Sequence, residues 1–320
     1  MQRHVDITQI DPQQHCFICR TPIEQGSNSV EHVIPRWAQK RHDLFNQRLF
    51  LINKTEIQYR QLIVPCCSKC NNDHWAPIER DLSEAVKFGR SAVLGLGKER
   101  IYLWLAKVFY GILYKEYMLL FDRTRPSEGN IVQSGDISAY ETHHVFLQRA
   151  SGLIEFEDFI PGSIFVFDAQ RLPNPRHEWF LADDIRSMSI GVRVGSVVIL
   201  AALGDGGAQE TEEEVYSRFY DLALHPLQIK ELFALVFYKS SRATRTPKYI
   251  QEEAPPFRIW QLPLGGYSSV PFFDNYDVRE YAKVLSQFTG VPLNELLYPP
   301  DRVRTWLQTD AGQVQFIPIN

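Results

Sequence analysis

Two Cys-x2-Cys pairs, Cys16/Cys19 and Cys67/Cys70, constrain this chain more than any other feature. Each pair on a tight turn presents two thiolates, and four thiolates complete a zinc tetrahedron. One ion would then tie together two distant turns. Cys66 lies beside Cys67, but only Cys67 keeps the two-residue spacing to Cys70, so Cys66 is read as a small buried residue. The alternative, unligated core cysteines, fits poorly with two correctly spaced pairs. A closed four-cysteine site leaves no position for substrate, so this zinc is structural. All 5 cysteines lie between Cys16 and Cys70, and the start Met1-Gln-Arg-His-Val-Asp has no apolar targeting region. Reduced, metal-binding thiols and a cytoplasmic location are the expectation.

The chain of 320 residues is long enough for two cores. Its formal net charge of -4 advertises no global basic field, so nucleic acid would have to meet a local patch. Residues 1–97 hold 12 Lys+Arg against 10 Asp+Glu and the remainder 22 against 28, a small bias of the right sign for an N-terminal nucleic-acid module. The most apolar stretch, Ile101 to Phe121, is interrupted by Lys107, Lys115 and Glu116, which predicts a buried core helix and no membrane span.

The fold class expected is α+β. A zinc-stabilised module over 1–94 precedes a larger mixed domain over 95–320, with Gly95-Leu-Gly97 as the joint. In the module, Leu49–Ile52 and Gln61–Val64 read as two strands of a hairpin turned by Asn53-Lys54-Thr55. A helix follows from Asn71, kinked or restarted at Pro77. Beyond the joint come a long helix (98–122), a loop (123–136) and strands at 163–167, 178–181, 189–194 and 197–200, the last two joined at Gly195-Ser196. An exposed acidic loop (210–214), a helix from Pro226 and a last helix ending at Gly290 complete the pattern.

Phosphodiester hydrolysis needs an activated water and charge stabilisation on the phosphate. A histidine can take the proton from water near neutral pH. Glu31 and His32 are adjacent; on a strand they point to opposite faces, so one can bind metal while the other faces the phosphate. Asn71, fixed by the second cysteine pair, is placed as a further metal ligand. His74, one helical turn later, is a third ligand, a phosphate contact or a packing residue. Arg36, Lys40, Arg41 and Arg48 follow the Glu31-His32 segment and could hold nucleic-acid phosphates or form an ordinary solvated face. Trp37 and Trp75 read as packing residues. Lys239, Arg242, Arg245 and Lys248 recur every third residue, either as an anion-binding edge or, the favoured reading, as a solvated helix end. Gly204-Asp-Gly-Gly207 lacks the ending of a phosphate loop. His143-His144 is read as structural.

Cys16-x2-Cys19, Glu31-His32-Val-Ile-Pro35-Arg-Trp37 and Cys67-x2-Cys70-Asn71-Asn72 together resemble the HNH endonucleases, the ββα-metal nuclease fold, over about a quarter of the chain. The resemblance implies His32 as general base, Glu31 and Asn71 as ligands of a catalytic divalent ion (Mg²⁺ or Mn²⁺), and cleavage leaving a 5′-phosphate and a 3′-hydroxyl. The family's middle residue, which orients the base, has no clear counterpart: the expected position falls on Leu62, with Gln61 favoured and Asn53 open. The expected partner is nucleic acid, DNA before RNA, with defence against foreign DNA as a setting. The C-terminal domain would select the target, join subunits or contact a partner protein. The competing expectation is a zinc-stabilised nucleic-acid-binding or adaptor protein that does not cut.

Overall fold

Apolar runs of three or four residues, punctuated by Asn, Pro and Gly, leave the first part of the chain with strands too short to build a sheet alone. The computed structural model describes residues 6–23, 29–212, 214–265 and 270–319. In chain order, β1 (Val30–His32) leads into α1 (Arg36–Arg41), then β2 (Arg48–Phe50), β3 (Glu56–Gln58) and β4 (Ile63–Pro65). A wide π-type turn over Lys69–Trp75 runs into α2 (Ala76–Ala85), followed by α3 (Arg90–Leu94) and α4 (Lys98–Met118). Pro77 stands in the first turn of α2, where its missing N–H costs nothing, so it restarts the helix and does not break it. With 39% helix and 20% strand the protein is α+β, as its patterning predicts.

The pairing of the short strands corrects one expectation. Asn53–Thr55 does turn a hairpin, with the Asn53 side chain accepting the Thr55 N–H at 3.0 Å. Its second strand, however, is β3, which pairs with β2 from Arg48↔Gln58 to Phe50↔Glu56. The expected second strand around 61–64 is displaced: Tyr59–Gln61 form a 3-10 turn, and β4 pairs antiparallel with β1, His32 opposite Ile63 and Glu31 opposite Val64. A tight turn must pair the residues that directly flank it, which frees the next apolar run for a distant partner.

Internal contacts divide the chain into two compact units. The first comprises Met1–Glu84, Leu103–Phe156 and Glu252–Ile259; the second comprises Ala85–Tyr102, Glu157–Gln251 and Trp260–Asn320. The assignment thus changes inside α4, between Tyr102 and Leu103, and Gly95-Leu-Gly97 lies within the second unit.

In the first unit, α4 forms the spine. Almost every residue from Leu103 to Tyr117 is buried, and its three charges are all consumed. Lys107 pairs with Glu31, Lys115 Nζ donates to Ile63 O at 3.2 Å, and Glu116 Oε1 accepts the Ile52 N–H at 2.8 Å. Gly111 lets α4 approach the segment after β1, since a Cβ there would lie 2.9 Å from the Val33 methyls. α5 (Ser134–Ser138) and α6 (Glu141–Leu147) follow; α6 buries His143 and His144. His143 Nε2 donates to Ala106 O at 3.2 Å, the structural role its sequence context suggests. β5 (Ile154–Glu157) ends this part of the chain.

The second unit is a four-stranded antiparallel sheet with helices on it. β6 (Ser163–Asp168), β7 (Trp179–Asp184), β8 (Ser189–Val194) and β9 (Val197–Ala202) lie in the order β6-β9-β8-β7, and β8 and β9 meet at the Gly195-Ser196 turn. β8 and β9 are buried along their whole length, so both faces are covered. The segment 210–214, expected as an exposed acidic loop, is in part engaged: Glu210 accepts the Ile164 N–H at 2.8 Å and pairs with Lys98 at 2.6 Å. After α7 (Glu214–Ser217), α8 (Pro226–Ser241) packs Leu232, Phe233 and Val236 against Leu200, Val198 and Phe167. Gly191 makes that contact possible, because a Cβ there would meet Phe233 and Leu200 at 2.5 Å. α9 (Val278–Thr289) covers α8 through Tyr281 and Leu285.

Candidate metal centre and catalytic face

The two cysteine turns are built by local hydrogen bonds and joined through β4. Cys16 N donates to Thr21 O and Arg20 N to Cys16 O, while Phe17 N donates to Pro65 O at 2.9 Å. Arg20 adopts φ 56° to close the first turn, and its guanidinium is held by Glu141 with both nitrogens, at 2.7 and 2.6 Å. In the second turn Asn71 N donates to Cys67 O, and Cys70 N points at Cys67 Sγ at 3.4 Å.

The result is a converged four-thiol group: Cys16, Cys19, Cys67 and Cys70 place their sulfurs within 4.8 Å of one another. Cys19 Sγ and Cys67 Sγ are 3.7 Å apart; a zinc tetrahedron with bonds of about 2.3 Å needs sulfur edges of about 3.8 Å. Cys66 Sγ lies outside the group, 4.0 Å from Cys16 Sγ. The thiols also show why a cation belongs among them. Cys16 is pushed up to about 12, chiefly through its contact with Cys19, and Cys67 and Cys70 are pushed up through Cys16. Cys19 is held low by hydrogen bonds from Cys16 and Cys70. Four thiolates cannot coexist at these distances without positive charge between them. The donor set fits a structural metal ion such as zinc.

β1, paired with β4, carries both Glu31 and His32. The two side chains do take opposite faces. Glu31 is buried, and His32 is half-buried. The inward face holds a charge cluster that sequence reasoning missed: Lys107, 1% exposed, pairs with both Glu31 and Glu79, and its ammonium lies 5.7 Å from the centre of the Trp75 ring. Burial opposes the charge of Lys107, but the two carboxylates outweigh it and lift the ammonium well above the usual lysine range. Burial likewise pushes Glu79 up, against the pull of Lys107. A lysine within an apolar helix was the available signal, but nothing local identifies its partners.

On the outward face, the His32 ring makes no hydrogen bond among the described residues. Burial, and then the nearby Arg36 charge, lower its pKa below the ordinary histidine value, with Glu31 working the other way. The proton-accepting form is therefore dominant at neutral pH. Neither expected orienting residue bonds it. Gln61 is exposed and caps its own turn by accepting the Gln58 N–H at 2.8 Å, and Asn53 is committed to its hairpin and to Phe121 O.

Asn71 is fixed against β1, its Nδ2 donating to Val30 O at 3.3 Å, which leaves its carbonyl oxygen uncommitted. His74 is half-buried and makes no polar contact among the described residues. The wide turn that ends with Ala76 N donating to Asn71 O sets the directions of both. Glu31 meets Lys107 through Oε1, so a counter-charge already stands beside this carboxylate. Among the described residues the four cysteines are the one group of three or more His, Cys, Asp or Glu donors that converges. Of the four basic residues expected on nucleic acid, Arg36 and Lys40 share one exposed face of α1 and have no partner among the described residues. Arg41 stacks on Trp37 and donates to Ser83 O, and Arg48 pairs with Glu56. Trp75 is a core residue, 1% exposed. No described helix is long and apolar enough to cross a membrane. Comparison with protein-family models, with curated proteins and with solved structures found no match.

Proposed function

We propose that this protein is an HNH-type endonuclease, hydrolysing phosphodiester bonds in nucleic acid, DNA before RNA, with His32 as general base. One observation carries the reading. His32 stands on an antiparallel strand pair followed by a helix whose start is pinned by the four-cysteine group, and its ring is unpaired, held low in pKa and next to Arg36. A phosphate bound by Arg36 and Lys40 would lie beside a neutral imidazole able to take a proton from water. A divalent ion, Mg²⁺ or Mn²⁺, would supply charge stabilisation on that phosphate. The Asn71 carbonyl oxygen and His74 are the donors free to hold it, with Glu31, paired with Lys107 through one oxygen, as a further ligand. The second unit is then a region for target choice, self-association or a partner protein, and defence against foreign DNA is one setting for such an enzyme.

The test is nicking of supercoiled plasmid with Mg²⁺ or Mn²⁺. His32→Ala should slow cutting about 10²–10⁴-fold, the usual worth of a general base. Equal cutting by wild type and variant would remove His32 from the mechanism. The engagement of Glu31 by Lys107 favours one other reading, a zinc-stabilised nucleic-acid-binding or adaptor protein without cleavage. That reading stands if folded wild type shifts DNA or RNA in a gel yet cuts neither with any metal tried.

A further inference from the structure

Lys239, Arg242, Arg245 and Lys248 recur every third residue across the end of α8, and the structure divides them into two pairs. Lys239 pairs with Glu212 and lies 4.7 Å from the centre of the Phe273 ring. Arg242 pairs with Asp274. These two are spent. α8 ends at Ser241, so Arg245 and Lys248 lie beyond it, and neither has a carboxylate partner among the described residues.

Both line a cavity of about 320 Å³, together with Pro247, Leu262, Leu264 and Phe272, and among the described residues no acidic side chain lines it. That volume is at the small end of ligand sites, about 300–1,000 Å³. The walls are strapped by backbone: Leu262 N donates to Lys248 O at 2.8 Å, and Thr244 N to Phe272 O at 2.9 Å. Arg245 is pre-positioned, donating one N–H to Leu264 O and lying 5.7 Å from the centre of the Phe272 ring. Its other N–H donors and the whole Lys248 ammonium have no hydrogen-bond partner among the described residues. Two cations without a carboxylate partner beside an apolar wall can receive an anion that also carries a flat, apolar part. A phosphate suits the guanidinium fork and the ammonium, and a base suits a stacking surface.

We propose that this cavity binds a nucleotide, with Arg245 and Lys248 on the phosphate and the base along Pro247, Leu262 and the Arg245–Phe272 stack. Free mononucleotides and the units of a single strand share this chemistry. The site is independent of His32, and the proposal holds whether or not the protein cuts.

Isothermal titration of the full-length protein, without added Mg²⁺ or Mn²⁺, tests it with the four ribonucleoside 5′-monophosphates, adenosine, inorganic phosphate and a thymidine octamer of single-stranded DNA. At least one monophosphate or the octamer should bind at least tenfold tighter than adenosine or phosphate. Lys248→Ala should weaken that binding at least tenfold, and Lys248→Arg should restore most of it. Tighter Lys248-dependent binding of the octamer assigns the site to a strand; tighter binding of a monophosphate assigns it to free nucleotide. Failure of all five nucleotide ligands to bind, or binding that Lys248→Ala leaves unchanged, overturns the proposal. The Lys248 side chain makes no polar contact among the described residues, and alanine keeps the carbonyl that accepts Leu262 N, so an unchanged thermal midpoint should accompany the substitution.

Discussion

The two units bury charge in different ways. In the first, two buried cations meet carboxylates from distant segments, Lys107 with Glu31 and Glu79 and Arg20 with Glu141, while Glu116 meets the Ile52 N–H. In the second, Glu178 meets Arg171, but two buried carboxylates meet backbone. Asp205 accepts N–H groups from Ser163, Gly207 and Gln209, and Glu231 accepts those of Trp306 and Leu307. The reason lies in the strands. β1 to β4 have three residues each and bury little apolar surface, so beyond the buried α4 the first unit fixes its parts through ion pairs and a four-cysteine group that could hold a metal ion. The second has four six-residue strands and a long helix laid on them, and its core forms through Phe, Val and Leu. There the buried carboxylates only stop loops.

Metal removal should separate the units most sharply. Structural zinc contributes about 10–16 kcal/mol of apparent free energy in small zinc domains. Chelation or Cys67→Ser is expected to abolish amide-exchange protection in the first unit while α8 and β9 keep theirs, with about one zinc per native chain by metal analysis. Equal loss of protection in both units would break the contrast. Lys107→Met comes next. It leaves two buried carboxylates facing each other, at a cost of about 3–5 kcal/mol in the first unit. Adding Glu31→Gln and Glu79→Gln should recover most of that loss in denaturant titrations; no recovery would mean that Lys107 acts by packing alone.

Phe233→Ala provides the counterpart in the second unit. Phe233 is fully buried between α8 and the sheet, and about 3–5 kcal/mol should be lost there, with the first unit's exchange unchanged. Acid should act on single buried groups in both units. Burial lowers His143 from 6.5 to about 4. Above 6.5 both folded and unfolded chains hold it neutral; as pH falls from 6.5 to 4 the unfolded chain takes the proton first, so stability is lost, by on the order of 3 kcal/mol. Burial raises Asp205 to about 6 and Glu231 to about 7, so in the second unit the folded chain takes protons first and stability grows as pH falls through that range. His143→Gln should flatten the acid loss of the first unit, read as the difference from wild type between pH 6.5 and 4. The smallest effect belongs to Arg48→Ala. Its pair with Glu56 is exposed, and about 0–1 kcal/mol is expected in thermal unfolding.

The strands of the second unit's sheet were legible to within a few residues at their ends, because short apolar runs, turn chemistry at Gly195-Ser196 and the Pro226 helix start are local signals. The pairing of β4 with β1 was not, since the 53–55 turn suits any strand that follows. Of the candidate site, the opposite faces of Glu31 and His32 followed from strand geometry alone. The burial of Glu31 against Lys107 did not, because the two residues approach each other only after α4 has packed. Gln61 lies close in sequence to the strand opposite His32, yet its turn directs it to Gln58.

By itself the sequence determined what spacing and periodicity can encode: the four cysteines that converge, the spare Cys66, the α+β class and a long buried helix. Only the tertiary structure decided which charges spend themselves on one another and which stay available. It consumed Glu31, Lys239 and Arg242 in ion pairs and left His32, Arg36, Arg245 and Lys248 open. The physical reason is reach: hydrogen-bonded turns act over a few residues, whereas a buried charge takes its partner from whatever distant segment the core brings within contact.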